Sequence, residues 1–131
     1  MNGLLMKLKH LWLGLLGLAV SAPSAGGFSG VRGDAAAKLA ADPTVFLLDV
    51  RTPGEHAEAR LTRSTLVPVD ELAGRLSELP ADKDKPILVY CAMGGRSARA
   101  SQLLIEKGWK TVYNMEGGIT GWKAEGRPVE R

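Results

Sequence analysis

Cysteine and histidine are scarce in this sequence. Its 131 residues include one cysteine and two histidines. One cysteine cannot form a disulfide within the chain, and with so few cysteine and histidine side chains the scattered carboxylates match no recognisable metal-ligand spacing. The sequence therefore predicts neither a disulfide framework nor a metal site.

The sequence also lacks an apolar run long enough to span a membrane. Residues 11–20 are uncharged and apolar, but a membrane-spanning helix needs about 20 such residues. Lys7, Lys9 and His10 precede this stretch, and mostly small residues follow it. This order is typical of a secretory signal peptide. We therefore predict a signal peptide over residues 1–25, a single domain over residues 26–131, a periplasmic or secreted location, and membrane contact only through an uncleaved leader.

A concentrated basic surface is missing as well. The chain has 17 Lys and Arg against 14 Asp and Glu, and residues 1–25 hold two lysines and no acidic residue. The remainder therefore has 17 minus 2 basic residues against 14 acidic ones, a formal charge of about +1. Nucleic-acid binding requires a clustered basic face. We expect no nucleic-acid partner.

Strand and helix patterns alternate along the rest of the chain. Apolar runs predict strands at residues 45–50, 66–69, 87–90 and 111–113, with a further short edge strand near Phe28. Capping residues and apolar spacing predict helices at residues 35–41, 55–60, 72–76, 98–105 and 117–125. This alternation is typical of an α/β fold with a mainly parallel central sheet flanked by helices on both faces.

The single cysteine lies where a predicted strand and a predicted helix meet. Cys91 is at the carboxyl end of the strand, which is where ligands bind in parallel sheets. Unpaired N–H groups and the helix dipole favour a thiolate or a bound anion at this point. Gly94 and Gly95 let the backbone turn its N–H groups inward, and Arg96 adds a cation. The pattern predicts a reactive thiol with a lowered pKa rather than a buried, inert cysteine.

Two charged residues lie near the end of another predicted strand. Asp49 and Arg51 are two positions apart and so point to the same side. We expect them to pair and to support the loops around the thiol, although an ordinary strand-end ion pair explains the spacing equally well. His56 is far from Cys91 in sequence, which favours a structural or surface role over a Cys–His catalytic pair.

The segment from Cys91 to Ser97 resembles the active-site loop of the rhodanese family of sulfurtransferases, C-x-x-G-x-R followed by Ser. The resemblance covers nearly all of residues 28–129. Its other motifs are Leu47-Leu48-Asp49-Val50-Arg51 with Pro53 and Glu55, Pro86 to Tyr90, Gly108-Trp109, Tyr113-Asn114-Met115, Glu116-Gly117-Gly118-Ile119, and Gly121-Trp122. Each motif alone is common, but together in this order they are specific.

The resemblance implies a role for residues 91–97, which we call the cysteine loop. It implies that Cys91 is the nucleophile, which takes the outer sulfur of a small anionic donor such as thiosulfate and forms a persulfide. The persulfide is then passed to cyanide or to a thiol acceptor, and no cofactor is required. The residues expected to bind the substrate are Ala92, Met93, Gly94, Gly95, Arg96 and Ser97. In the family, backbone N–H groups and the arginine hold the anion.

One segment departs from the family pattern. Where relatives carry an aromatic residue and then Gly-His-Ile-Pro-Gly-Ala, this chain has His56 and then Ala-Arg-Leu-Thr-Arg-Ser-Thr at residues 59–65. We expect Arg60 and Arg63 to add positive potential for an anionic donor, although drift of a surface loop is an alternative. The segment therefore leaves the identity of the donor open.

Three functions fit these patterns. The first is an exported sulfurtransferase, the second is a non-catalytic rhodanese-like module that carries sulfur or binds a partner, and the third is a phosphatase or arsenate reductase. A thiol in an anion-binding loop argues against a purely interacting module. Phosphatases with a related loop have one more residue between cysteine and arginine, which argues against the third. The sequence favours the sulfurtransferase.

Overall fold

The computed structural model describes residues 27–131, so the predicted signal peptide lies outside the described residues. The strands are β1 (Ser29–Val31), β2 (Phe46–Asp49), β3 (Thr65–Leu66), β4 (Ile87–Tyr90) and β5 (Val112–Met115). The α-helices are α1 (Gly33–Ala41), α2 (Pro53–Glu58), α3 (Gly95–Glu106) and α4 (Gly118–Ala124). Two 3₁₀ helices, Val69–Gly74 and Leu76–Glu78, lie between β3 and β4.

The five strands form one sheet in the order β1-β5-β4-β2-β3, and every neighbouring pair is parallel. The predicted α/β fold with a parallel sheet is therefore confirmed. Because β4 is the central strand, the residue that follows it lies in the middle of the carboxyl edge of the sheet. That residue is Cys91.

Two apolar layers cover the two faces of the sheet. The layer on the first face contains α1 and α4 and includes Leu88 and Tyr90 of β4. The layer on the second face contains α3 and the 3₁₀ region and includes Ile87 and Val89. All four residues of β4 are fully buried, as expected for a central strand that is covered on both faces. This burial explains the continuous apolar run before the cysteine.

The region predicted as a helix at residues 72–76 forms 3₁₀ turns instead. No side chain caps its first turn. Gly74 lies inside the segment and disfavours an α-helix by about 1 kcal/mol relative to alanine. The prediction was wrong because one apolar face does not offset these local costs.

Candidate active site

The cysteine loop closes around the sulfur atom of Cys91. The residue is buried, with 1% of its surface exposed. The Gly94 N–H donates to Cys91 Sγ over 3.1 Å, and the Ser97 hydroxyl donates to it over 3.3 Å. Gly94 precedes α3 with a φ of +109°, a left-handed conformation that favours glycine. The turn therefore brings donors from both the loop and the first turn of α3 to one sulfur atom.

These donors lower the pKa of the Cys91 thiol below its usual value. Burial is the largest single influence and raises the pKa, but hydrogen bonds from the Ser97 side chain and from the N–H groups of Ser97, Gly94 and Met93 together outweigh it. The thiolate fraction at neutral pH is therefore increased, and it falls as the pH drops through the lowered pKa.

Replacing Ser97 with alanine is expected to raise the pKa of Cys91, because it removes the strongest of the hydrogen bonds that stabilise the thiolate. Loss of one hydrogen bond of ordinary strength should reduce the thiolate fraction enough to slow alkylation by iodoacetamide about two- to tenfold at pH 7. The measurement is the alkylation rate as a function of pH, whose midpoint should move to higher pH.

Ser101→Ala is the matched control for this variant. Ser101 lies on the same helix and is as fully buried as Ser97, but its hydroxyl has no hydrogen-bond partner within residues 27–131. The control should leave the midpoint unchanged. Equal midpoints for the wild type and Ser97→Ala would show that the hydroxyl does not stabilise the thiolate.

The first turn of α4 fixes the peptide groups of the cysteine loop. The Ile119 N–H donates to the Cys91 carbonyl oxygen and the Thr120 N–H donates to that of Ala92, both over 3.0 Å. Because a trans peptide holds its N–H opposite to its C=O, the following N–H groups point away from α4. The Met93 N–H is one of the groups that stabilise the thiolate. The N-terminus of α4 thus orients donors that it does not itself supply.

Gly118 allows this close contact, because a side chain at its position would overlap the Ala92 carbonyl group and lie 2.6 Å from the Cys91 carbonyl oxygen. Its φ of +57° also favours glycine. From the other side, Asn114 of β5 donates to the Gly94 carbonyl oxygen over 3.3 Å. The shape of the cysteine loop is therefore set by α4 and β5 as well as by its own glycines.

Both terminal nitrogens of Arg96 bind a carboxylate of α2. Its Nη1 and Nη2 donate to Oε1 and Oε2 of Glu55 over 2.8 and 2.9 Å. Glu55 is itself fixed by a capping box, in which its Oε1 accepts from the Thr52 N–H over 3.0 Å and its own N–H donates to Thr52 Oγ1. The sequence predicts Arg96 as an anion ligand, and its pairing with Glu55 was not predicted.

Asp49 is the centre of a buried hydrogen-bond network. It is fully buried and accepts from Arg51 Nε and Nη2 over 2.9 and 2.7 Å. His56 Nδ1 lies 2.8 Å from Asp49 Oδ2, and the Tyr90 hydroxyl donates to the same oxygen over 3.1 Å. Tyr90 packs in the layer on the first face of the sheet, whereas Cys91 packs in the layer on the second. The network therefore lies across the sheet from the thiol.

This network attaches α2 to the sheet. Arg51 Nη2 also donates to the Ala59 carbonyl oxygen at the end of α2 over 2.7 Å, and His56 contacts Asp49 from within the helix. Asp49 and Arg51 thus pair, but they support the helix that carries Glu55 and do not contact the thiol. His56 occupies a structural position in this network.

The atypical segment at residues 59–65 contacts the same network. The Leu61 N–H donates to the Tyr90 hydroxyl over 3.1 Å, and Ser64 Oγ lies 3.0 Å from that hydroxyl. Burial, followed by the charge of Asp49, raises the pKa of Tyr90 to about 12, so the phenol stays neutral. Leu61 and Ser64 therefore connect the segment to the buried network, while Thr62 and Arg63 are exposed.

The side chains of Arg60 and Arg63, which were expected to add positive potential for an anionic donor, contact other parts of the chain. Arg63 donates to the Ala40 and Asp42 carbonyl oxygens over 2.6 and 3.2 Å, at the C-terminus of α1. Arg60 pairs with Glu130 through its backbone, its Nε lies 4.0 Å from Glu130 Oε1, and its Nη1 donates to the His56 carbonyl oxygen. The sequence cannot show the contacts with Ala40, Asp42 and His56, because these contacts use backbone carbonyl groups.

Within the described part of the chain, no cluster of three His, Cys, Asp or Glu side chains could hold a metal ion. In the same residues, no helix combines the length and the apolar character that crossing a membrane requires.

A family model described as rhodanese-like domain matches residues 32–125. The chain belongs to the rhodanese family. The match includes α1, the cysteine loop and all of α4, so the structural elements that shape the loop are elements of the rhodanese domain.

Several relatives of this rhodanese are named as sulfurtransferases. A protein named sulfurtransferase from Allochromatium vinosum is 36% identical over 92 residues, which are 70% of this chain and 84% of that protein. The thiosulfate sulfurtransferase GlpE of Coxiella burnetii is 38% identical over 80 residues, 61% of this chain and 73% of that protein. The crystal structure of a rhodanese-related protein from Thermoplasma volcanium matches with a TM-score of 0.67 and 35% identity, over 77% of this chain and 96% of that one. These relatives support transfer of sulfur between a donor and an acceptor as the general chemistry of this rhodanese.

Proposed function

We propose that this rhodanese moves sulfane sulfur from thiosulfate or a similar donor, through a persulfide on Cys91, to cyanide or a thiol acceptor. The observation that carries the proposal is the Cys91 sulfur, which accepts hydrogen bonds from Gly94 and Ser97 and has a lowered pKa. Such a thiolate is the nucleophile that sulfur transfer requires.

The reaction needs no other redox partner. The Cys91 thiolate attacks the outer sulfur of thiosulfate, a new S–S bond forms, and the original S–S bond breaks as sulfite leaves with the electron pair. Cyanide then attacks the outer sulfur of the persulfide, and thiocyanate leaves as the thiolate is restored. The N–H groups that surround the sulfur stabilise the anionic persulfide between the two steps.

We further propose that residues 1–25 are a signal peptide and that the enzyme acts in the periplasm or outside the cell. The basic, apolar and small-residue order of the leader supports this location.

One experiment tests both proposals. The full chain is expressed, purified and incubated with thiosulfate, and its intact mass is measured before and after cyanide is added. Because the chain has one cysteine, the expected result is one sulfur atom per chain, cleared by cyanide with release of thiocyanate. The mass before treatment also shows whether the leader has been removed. A stable adduct without thiocyanate would identify a sulfur carrier, and no adduct from any sulfane donor would overturn the proposed function.

The contact between α4 and the cysteine loop gives a prediction for this activity. Gly118→Ala is expected to lower kcat/KM for thiosulfate about 100-fold, because the new methyl group displaces the Ala92 peptide and small displacements of reacting groups have effects of this size. Steady-state thiocyanate formation measures the loss. Gly121→Ala, on the same helix with no neighbour within 4 Å of the added carbon, should keep wild-type activity. Comparable activity of the two variants would show that α4 does not shape the loop.

A further inference from the structure

The charge of Arg96 is neutralised by Glu55. Two parallel hydrogen bonds of 2.8 and 2.9 Å join the guanidinium to the carboxylate, and one third of each side chain is exposed. Bidentate pairs of this kind are among the stronger ion pairs in proteins. Hydrogen bonds from Arg96 are the main reason why the pKa of Glu55 is lowered to about 2. The carboxylate is therefore ionised at every pH at which the thiol reacts.

Glu55 cannot easily move away from this position. Its Oε1 also accepts from the Thr52 N–H and hydroxyl over 3.0 and 3.1 Å. The helix that carries it is attached to the sheet through the contacts of Arg51 and His56 with Asp49. Glu55 is therefore a fixed negative charge beside the only arginine of the cysteine loop.

An anion that enters the loop meets a neutral ion pair and the N–H groups around the sulfur. The N–H groups suit one negative charge, since they already stabilise the thiolate of Cys91. A dianion brings a second negative charge. This charge finds no unpaired cation within the loop and is repelled by the Glu55 carboxylate. Arg99, the next cation on α3, is exposed, where solvent and salt screen its charge.

We propose that Glu55 selects sulfur donors by charge, favouring persulfides of small thiols over dianions such as thiosulfate. This inference rests on the proposed function and narrows its donor class. In the favoured reaction the Cys91 thiolate attacks the outer sulfur of R–S–SH. A bond forms between Sγ and that sulfur, the donor S–S bond breaks, and the thiolate R–S⁻ leaves with the electron pair while the hydrogen stays on the transferred sulfur.

The test uses Glu55→Gln, because glutamine at this position of a capping box keeps the hydrogen bond to the Thr52 N–H but removes the charge. Glu58→Gln is the matched control: it makes the same change of net charge at an exposed position of the same helix. The probes are sulfate, an unreactive dianion, and methanesulfonate, a monoanion of similar shape. At constant ionic strength, each anion is titrated for its ability to protect Cys91 from iodoacetamide.

We expect Glu55→Gln to lower the sulfate concentration for half-protection by about tenfold relative to the wild type, with a change of less than about threefold for methanesulfonate. Glu58→Gln should change neither value by more than about twofold. In sulfur transfer, the measured quantity is kcat/KM for thiosulfate divided by kcat/KM for cysteine persulfide. Glu55→Gln should raise this ratio by about tenfold. Each half-protection concentration is measured relative to the alkylation rate of the same variant without added anion. A change in that intrinsic rate therefore does not affect it.

Anion protection needs no turnover, so it tests the selection by charge separately from the proposed function. Unchanged or weaker sulfate protection in Glu55→Gln would overturn the inference, since the carboxylate would then be positioning Arg96 for anions and not opposing them. Equal effects on sulfate and methanesulfonate would overturn it as well. Failure of sulfur transfer with the expected protection pattern would count against the proposed function alone.

Discussion

Replacing Cys91 with serine is expected to abolish sulfur transfer, with kcat/KM at least about 10⁴-fold below the wild type. A hydroxyl group is not ionised at neutral pH and cannot form an S–S bond, so no persulfide forms. The donors from Gly94 and Ser97 can still bind the smaller oxygen atom, and we expect the free energy of unfolding to fall by less than about 2 kcal/mol. Thiocyanate formation and urea unfolding measure the two effects.

Alkylation of the wild-type protein provides an independent control for this variant. It blocks the same sulfur atom in a chain that has already folded, and it should remove activity to the same extent. Turnover that survives in Cys91→Ser would assign the reaction to a group other than a thiol, because the chain has no second cysteine.

Replacing Asp49 with alanine is expected to lower the free energy of unfolding by about 3–5 kcal/mol. The change leaves the Arg51 guanidinium buried without its carboxylate, and it removes an acceptor from His56 and the Tyr90 hydroxyl. Because Arg51 and His56 attach α2 to the sheet, the position of Glu55 should also become less fixed. Urea unfolding at pH 7 measures the effect.

Asp84→Ala is the control for the loss of one carboxylate. Asp84 pairs with Lys110 at the surface, where both side chains are 72% exposed, and such pairs contribute about 0–1 kcal/mol. A loss of less than about 1 kcal/mol in Asp49→Ala would mean that Arg51 finds another partner and that the network is not required for stability.

Much of the fold could be predicted from sequence because the central strands have a simple pattern. Every residue of β4 is buried on one face or the other, so the strand is a continuous apolar run with turn residues at each end. The position of Cys91 follows from it, since a residue after a parallel strand and before a helix lies at the carboxyl edge of the sheet. The family motifs then indicated the chemistry of the thiol.

The partners that control the site could not be predicted in the same way. Arg96 and Glu55 are 41 positions apart, and neither periodicity nor spacing pairs them. Ile119 and Thr120 act through backbone N–H groups, which every residue except proline possesses, so their types give no signal. The glycine at position 118 was the one available sign of close backbone approach, and its place in a Gly-Gly pair suggested only the start of a helix.

The lowered pKa of Cys91 depends on contacts that only the folded domain makes. The carbonyl oxygens of Cys91 and Ala92 accept from Ile119 and Thr120, which lie far along the chain from them. These bonds orient the peptide group whose Met93 N–H helps to stabilise the thiolate. An unfolded chain lacks these bonds, so we expect its cysteine to react as an ordinary thiol and to gain full nucleophilicity only in the folded domain.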